Sequence, residues 1–114
     1  MSKRSDVEFL CDIQEAIKRI QVYVRDMDYA KFATDIKTQD AVVRNLEIIG
    51  EAVKSISKNL QNKHKEIVWK DLAKVRDKLI HHYFGVNFDI VWDIIEDSLP
   101  KISIQIDQIL AKGQ

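Results

Sequence analysis

The sequence predicts an all-α domain, an up-and-down bundle of four helices. Only three glycines and one proline occur in 114 residues, so the chain has little material for the turns of a many-stranded sheet. Long stretches are rich in Leu, Ile, Lys, Glu, Gln and Ala, which favour helices. Apolar residues recur at spacings of three and four along four segments. We expect one domain over residues 1–114, with neighbouring helices antiparallel.

Charge and composition narrow the classes of function. The 18 basic and 18 acidic side chains cancel, so the chain lacks the broad positive field of a protein that coats long nucleic acid. Any RNA contact must therefore be local. No apolar run approaches the roughly 20 residues of a membrane-spanning helix, and no signal-peptide pattern follows Met1. We expect a cytoplasmic protein without membrane attachment.

The first predicted helix covers residues 6–24 and can begin at Ser5 or Asp6. Its apolar residues keep spacings of three and four: Leu10, Ile13, Ile17, Ile20 and Val24. The single cysteine, Cys11, has no partner for an internal disulfide. We predict that it is partly buried and structural.

A second, longer helix is predicted over residues 38–60, after a polar and aromatic stretch. In that stretch, Tyr29 and Phe32 can form a short extra helix near residues 28–34 or only cover the core. Gly50 lies inside the long helix, where a glycine costs about 1 kcal/mol relative to alanine. It indicates a close backbone approach, inside the bundle or across a dimer interface, unless it is merely tolerated.

A third helix is predicted from Ile67 or Trp69 to His82, after a polar connection over residues 61–66. Its apolar positions include Leu72, Val75 and Leu79. Gly85 can end it, because glycine readily adopts the left-handed conformation of a helix C-cap.

The fourth predicted helix begins after Asn87 or Asp89 and continues toward the end of the chain. Pro100 lies inside its apolar pattern. Because proline has no backbone N–H, we predict that it kinks or restarts the helix near Ser98.

The histidines do not have the spacing of a metal site. His64 stands alone in the polar connection, while His81 and His82 are adjacent and point about 100° apart on a helix. The Glu-x-x-His pairs of di-iron bundles are absent. The chain also has no glycine-rich phosphate loop, serine elbow or Cys-x-x-Cys motif. We predict neither a metal nor a cofactor.

One cluster of reactive side chains remains, at the end of the third helix. Titratable and phosphate-binding groups concentrate there within two turns: Arg76, Asp77, Lys78, His81, His82 and Tyr83. By spacing alone, the cluster also fits a solvated helix face whose histidines gain ~0.3–1 kcal/mol from the helix dipole.

This cluster resembles the motif of the HepT branch of the HEPN superfamily, an Arg, four residues, a His, one residue and a Tyr. Arg76, His81 and Tyr83 match it. Residues 45–52, Asn-Leu-Glu-Ile-Ile-Gly-Glu-Ala, resemble the family's second long helix, and the segments 91–92 and 98–100 are similar to its last. The resemblance thus spans nearly the whole chain.

The resemblance implies a metal-independent ribonuclease, the toxin of a toxin–antitoxin pair, with an active site formed between the two protomers of a homodimer. Each protomer would contribute Arg76 and His81 as catalytic residues. Tyr83 would be modified with AMP by a partner nucleotidyltransferase antitoxin of the MNT type, which silences the toxin. The alternative is a non-catalytic HEPN module that binds the nucleotidyltransferase or serves as its substrate.

Helix geometry adds expectations of its own. Arg76 and His81 are about 140° apart around the axis, so they do not share a face, and pairing across a dimer or local unwinding near Gly85 would bring them together. Asp77 shares the face of His81, where it can support the imidazole or form an ordinary surface ion pair. Tyr83 lies seven residues after Arg76, nearly two full turns, so it is on the Arg76 face and can contact substrate there. The alternative is an ordinary amphipathic tyrosine at a helix end.

Overall fold

The structure is a computed structural model that describes residues 4–81 and 88–113, with the side chains of residues 76–81 outside the described part. All regular secondary structure in these ranges is helical, which confirms the all-α prediction. In chain order the elements are α1 (Asp6–Tyr23), α2 (Tyr29–Thr34), α3 (Ile36–Ser55), α4 (Lys58–Lys63), α5 (Trp69–His81), α6 (Phe88–Asp93), a π-helical turn (Ile94–Ser98) and α7 (Leu99–Ala111). Helix α2 is the short extra helix predicted near residues 28–34. None of the described helices has the length and apolar character needed to cross a bilayer.

Helix α1 has the N-terminus and the buried face that its sequence predicts. Ser5 and Glu8 form a capping box, in which each side chain accepts a hydrogen bond from the other residue's backbone N–H. The inward face is fully buried: Leu10, Ile13, Ile17 and Ile20. Cys11, in contrast, is exposed, so its predicted partial burial is wrong. Cys11 lies about 200° around the helix from Ile13, and its side chain therefore faces solvent.

Helix α3 begins earlier than the predicted helix over residues 38–60. It starts at Ile36 because Asp35 caps it and accepts a hydrogen bond from the Thr38 N–H at 3.1 Å. The helix packs against both α1 and α5. Gly50 is buried in the monomer, which favours a close approach inside the bundle over one across a dimer interface.

Helix α3 also ends earlier than predicted, at Ser55, and residues 58–63 form the separate helix α4. The prediction of one helix to Leu60 is therefore wrong. Residues 61–66 lie between the long helices α3 and α5 as predicted, but residues 61–63 belong to α4. Ser57 explains the break. Its side chain accepts a hydrogen bond from the Leu60 N–H at 3.2 Å and caps α4, while the Asp6 carboxylate accepts the Ser57 N–H at 2.9 Å. Because this N–H is used outside the helix, α3 does not continue through it.

Pro100 follows the point at which the last helix changes type, close to the predicted position. The chain widens into a π-helical turn, in which the Leu99 N–H donates to the Ile94 carbonyl, five residues back. The backbone at Ser98 keeps helical dihedral angles (φ −75°, ψ −48°), and the α-helix starts again at the next residue, Leu99, as α7. Proline supplies no backbone N–H for the regular hydrogen-bond pattern of an α-helix. The π-helical turn before it lets the chain stay helical despite this loss.

The end of the bundle that carries α4, called here the α4 end, brings together three helix termini. Asp6 at the start of α1 contacts Ser57 just after α3, so α1 and α3 are antiparallel. Helix α5 begins at the same end, where the Trp69 indole N–H donates to the His64 carbonyl at 2.9 Å.

The opposite end, called here the α2 end, carries α2 and α6. The rings of Phe32 in α2 and Phe88 in α6 lie 5.9 Å apart. Helix α7 then returns toward the α4 end, where the Gln105 side chain donates to the Glu66 carbonyl at 3.3 Å. The four long helices therefore alternate in direction, which confirms the up-and-down bundle.

Candidate active site

Helix α5 carries the predicted catalytic residues on one continuous element. It runs from Trp69 to His81, so the third helix predicted from the sequence is present. Arg76, Asp77 and His81 all belong to it. Because each residue advances an α-helix by about 100°, the Arg76 and His81 positions lie about 140° apart around the axis.

The packing of α5 fixes its direction. Trp69 and Leu72, near its start, are 6% and 4% exposed and belong to the core. The helix starts at the α4 end, and the next described residue after it, Phe88, lies at the α2 end. The His81 terminus of α5 is therefore directed toward the α2 end of the bundle.

The contacts of the motif itself lie outside the described part of the chain. This holds for the side chains of Arg76, Asp77 and His81, and for residues 82–87 altogether, which include Tyr83 and Gly85. The predicted catalytic pairing, the supporting role of Asp77, the modification of Tyr83 and the C-cap at Gly85 therefore stay predictions.

An aromatic cluster joins α2 to α6 at the end toward which α5 is directed. Phe32 is fully buried, and its ring lies 5.2 Å from that of Trp92 and 5.9 Å from that of Phe88. Tyr29 contacts Trp92 edge-on, with ring centroids 6.4 Å apart. Such offset and edge-to-face pairs add to the stabilisation from burial alone. The cluster fixes α6, and so anchors the chain after residues 82–87.

The Tyr29 hydroxyl forms a second link between α2 and α6. A hydrogen bond to the Asp89 side chain raises the pKa of Tyr29, and burial and the negative charge of Asp89 raise it further. Tyr29 therefore stays neutral and keeps donating at physiological pH.

Several acidic side chains lie near this cluster. Asp28, Asp89 and Asp93 are exposed there, and Lys31 on α2 and Lys37 at the start of α3 are basic neighbours. Carboxylates repel the phosphates of RNA, so these residues do not provide the positive charge that phosphodiester cleavage requires. In the sequence, the motif provides such charge through Arg76 and Lys78.

His64 lies at the α4 end, away from the motif terminus. Its Nδ1 is 3.5 Å from a Glu66 carboxylate oxygen, and its Nε2 is buried without a hydrogen-bond partner in the described structure. Among the side chains that the structure describes, those of residues 4–75 and 88–113, no three His, Cys, Asp or Glu residues are grouped closely enough to bind a metal ion.

Sequence reasoning missed two buried polar side chains on α3. Gln39 is 8% exposed and donates to the Phe32 carbonyl at 2.9 Å, so it ties α3 to α2. Asn45 is 5% exposed and donates to the Ala41 carbonyl at 2.9 Å, while its Oδ1 accepts no hydrogen bond in the described structure. In the sequence, both are polar residues within or beside the apolar stripe of an amphipathic helix, and this position could have indicated their burial.

Comparison with known proteins identifies the family. The family model described as "Ribonuclease HepT-like" matches residues 13–109. The chain belongs to the HepT-like ribonuclease family. The match begins within α1 and ends near the end of α7, so this HepT-like chain is covered over nearly its whole bundle.

Relatives of this HepT-like chain cover most of its length. A Methanocaldococcus jannaschii protein named as a candidate RNase is 46% identical over 110 residues, which are 96% of this chain and 91% of that protein. A Thermococcus cleftensis protein named as a probable ribonuclease HepT is 42% identical over 107 residues, 94% of this chain and 97% of the relative. No solved structure matches this chain.

Proposed function

We propose that this chain is a metal-independent RNA endonuclease, the toxin of a HepT/MNT-type toxin–antitoxin pair, with its active site formed across a homodimer. The observation that carries the proposal is the continuous helix α5, which holds Arg76 and His81 at the family's motif spacing. Membership of the HepT-like family supports ribonuclease activity, and so do the RNase names of its relatives.

The proposed reaction needs a base, an acid and positive charge. His81 of one protomer removes the proton of a ribose 2′-hydroxyl, whose oxygen then attacks the adjacent phosphorus. The partner's His81 donates a proton to the 5′ oxygen as the P–O5′ bond breaks. The products are a 2′,3′-cyclic phosphate and a 5′-hydroxyl. The ordinary histidine pKa of about 6.5 lets one copy accept and the other donate a proton near neutral pH.

Arg76 stabilises the transition state in this mechanism. Its guanidinium stays charged at every physiological pH and can donate two parallel hydrogen bonds to phosphate oxygens. It thereby offsets the negative charge that builds up on the oxygens as the 2′ oxygen attacks.

The geometry of α5 supports the proposed pairing of two protomers. Positions 76 and 81 lie on different sides of the helix, so residues from two α5 helices can surround one phosphate where residues from one cannot. Exposed apolar side chains at the α2 end support an interface there. Ile36 is 71% and Ile90 is 55% exposed, and burial of such side chains is typical of the core of a homodimer interface.

Asp77 and Tyr83 have secondary roles in the proposal. Asp77 precedes His81 by one helical turn, where its carboxylate can orient the imidazole and raise its pKa. Tyr83 is the control point. Transfer of AMP from ATP to its hydroxyl by the partner nucleotidyltransferase, with release of pyrophosphate, places a charged phosphodiester near Arg76, where it competes with RNA.

The deciding experiment measures RNA cleavage by purified protein in EDTA, after mass spectrometry has established that Tyr83 is unmodified. Wild type should cut RNA to leave 2′,3′-cyclic phosphate ends. Arg76→Ala and His81→Ala should each lose activity, by at least about 100-fold, because each removes a group that acts in the transition state.

His82→Ala is the matched control, since it removes the neighbouring histidine on the same segment and should leave cleavage intact. If neither wild type nor any variant cleaves RNA, the result favours the alternative, a non-catalytic module that binds a nucleotidyltransferase. Cleavage that EDTA abolishes would contradict metal independence.

A further inference from the structure

Basic residues are unevenly distributed along this neutral chain. Residues 54–78 contain eight basic and three acidic side chains, whereas the rest of the chain contains ten basic and fifteen acidic ones. The basic segment runs from the end of α3 through α4 and along most of α5. In a protein without net charge, such an asymmetry indicates a local surface for a polyanion.

Two exposed lysines of α5, Lys70 and Lys74, lie one helical turn apart on the same side of the helix and are called here the lysine stripe. Trp69 and Leu72, which pack into the core, lie on the roughly opposite side. In the sequence, Lys78 continues the spacing of four. The described part of α5 therefore presents a row of positive charge to solvent.

The lysine stripe has no internal carboxylate partner in the described part of the chain. By contrast, Arg4, Arg19 and Arg44 each lie 3.8 Å or less from a carboxylate oxygen. Asp71 is exposed on the same helix, but it lies about 60° around the axis from Lys74 and forms no ion pair with it. The ammonium groups of the stripe can therefore bind an anion without breaking an ion pair.

The lysine stripe lies on the side of α5 that carries position 81. Lys74 precedes His81 by seven residues and Lys70 precedes it by eleven, so the three positions fall within about 40° around the helix axis. At the α-helical rise, Lys74 and Lys70 lie about 10 Å and about 16 Å from position 81 along the axis. A stacked strand advances about 3.4 Å per nucleotide, so these distances correspond to about three and about five nucleotides.

We propose that the lysine stripe binds the backbone of a single RNA strand that continues from the cleaved bond toward the α4 end. Lys74 contacts a phosphate about three nucleotides from this bond, and Lys70 contacts one about five nucleotides from it. This inference rests on the proposed function, because the position of the strand is measured from His81. It adds a requirement for an unpaired strand of about five nucleotides on one side of the cleavage point.

The chemistry of lysine and the direction of α5 support this path. An ammonium group is a point charge with three donors on a flexible stem, so it can contact phosphates without a fixed geometry. Single-strand binding proteins follow the backbone with a positively charged surface in the same way. Two further exposed lysines, Lys63 and Lys65, lie just before the start of α5. Positive charge therefore continues at the α4 end, where the strand would leave the helix.

The test measures binding by the full-length protein in EDTA, with fluorescence anisotropy of a labelled 2′-O-methyl oligo(U), whose blocked 2′ oxygens prevent cleavage. For a strand of about twelve nucleotides near 0.1 M salt, Lys70→Gln/Lys74→Gln should weaken binding about ten-fold. The slope of log affinity against log salt should fall by about 1.4, because each phosphate contact on a single strand contributes about 0.7. Oligo(A) should give the same loss, since phosphate contacts carry no sequence information.

Lys18→Gln/Lys101→Gln is the matched control. Both lysines are exposed, on α1 and α7, so this variant loses the same charge outside α5. It should change affinity less than about two-fold, because distant surface charges are screened by salt. Equal weakening by the two double variants, or unchanged affinity in the stripe variant, would overturn the inference. A wild type that binds neither oligonucleotide would overturn it as well.

Cleavage kinetics separate this inference from the proposed function. With a long, cleavable RNA, the stripe variant should raise KM about ten-fold and leave kcat unchanged, because its lysines bind the strand away from the reacting atoms. If wild type cleaves RNA but KM does not respond to the stripe variant, the inference fails and the ribonuclease stands. If RNA binding depends on the stripe but nothing is cleaved, the ribonuclease fails and the stripe is supported as an RNA-binding surface.

Discussion

The carboxylate of Asp6 accepts two hydrogen bonds from Ser57, one from the backbone N–H at 2.9 Å and one from the hydroxyl at 2.6 Å. The two residues are 51 positions apart in the sequence. Their contact fixes the start of α1 against the end of α3 and sets where α4 begins. Because α4 leads into α5, it also helps to position the helix that carries Arg76 and His81.

Removal of this contact should destabilise the fold. We expect Asp6→Ala to lower the free energy of unfolding by about 1–2 kcal/mol, because two hydrogen bonds to a charged group are lost. Urea denaturation measures the change. Asp12→Ala, which breaks an exposed ion pair with Arg4, is the control and should cost under about 1 kcal/mol. Equal losses in both variants would contradict the proposed importance of the Asp6–Ser57 contact.

Two helix caps should make stability depend on acidic pH. The pKa of Glu8 lies below its ordinary 4.5, chiefly because the Ser5 backbone N–H donates to the carboxylate. The pKa of Asp35 lies below 3.8, chiefly because the Thr38 backbone N–H does the same. Each group is more acidic folded than unfolded. Its contribution is therefore fully present above the unfolded pKa and is lost as the pH falls through the folded value.

Urea midpoints measured from about pH 6 down to about pH 3 should therefore decrease. Glu8→Gln and Asp35→Asn keep an acceptor of similar shape but cannot titrate, so each should give a shallower decrease than wild type. If the variant that combines both substitutions loses its urea midpoint with falling pH as steeply as wild type, other carboxylates determine the acid sensitivity.

Phe32 should be essential for attaching α6 to the bundle. Its side chain is fully buried between Phe88 and Trp92, so we expect Phe32→Ala to cost about 3–5 kcal/mol. Tyr29→Ala, at a ring that is 38% exposed in the same cluster, should cost less than half as much. Thermal and urea unfolding give both values, and a reversed order would contradict the assigned core.

Mixed dimers can test the proposed composite site. Wild type is exchanged with about a nine-fold excess of His81→Ala, which leaves most wild-type subunits paired with a variant. If both His81 copies are needed, RNA cleavage per wild-type subunit should fall about ten-fold. The same excess of His82→Ala should leave it unchanged. Undiminished activity in the His81→Ala mixture would show that one protomer holds a complete site.

The sequence by itself determined the features that depend on neighbouring residues. The buried face of α1 follows from apolar spacing, and its start was predicted at Ser5 or Asp6, of which Ser5 is the cap. The same local periodicity predicted α5, and with it the spacing of Arg76 and His81 along one helix. These predictions succeed because helix formation and capping act over three or four residues.

Only the tertiary structure decided features that join distant segments. The end of α3 depends on Asp6, which is 51 residues from Ser57, so the apolar stripe that continues to Leu60 could not reveal it. The direction of α5 toward the aromatic cluster requires α6 packed against α2. Periodicity shows which side of a helix is buried, but the partner of that side depends on the packing of the whole chain.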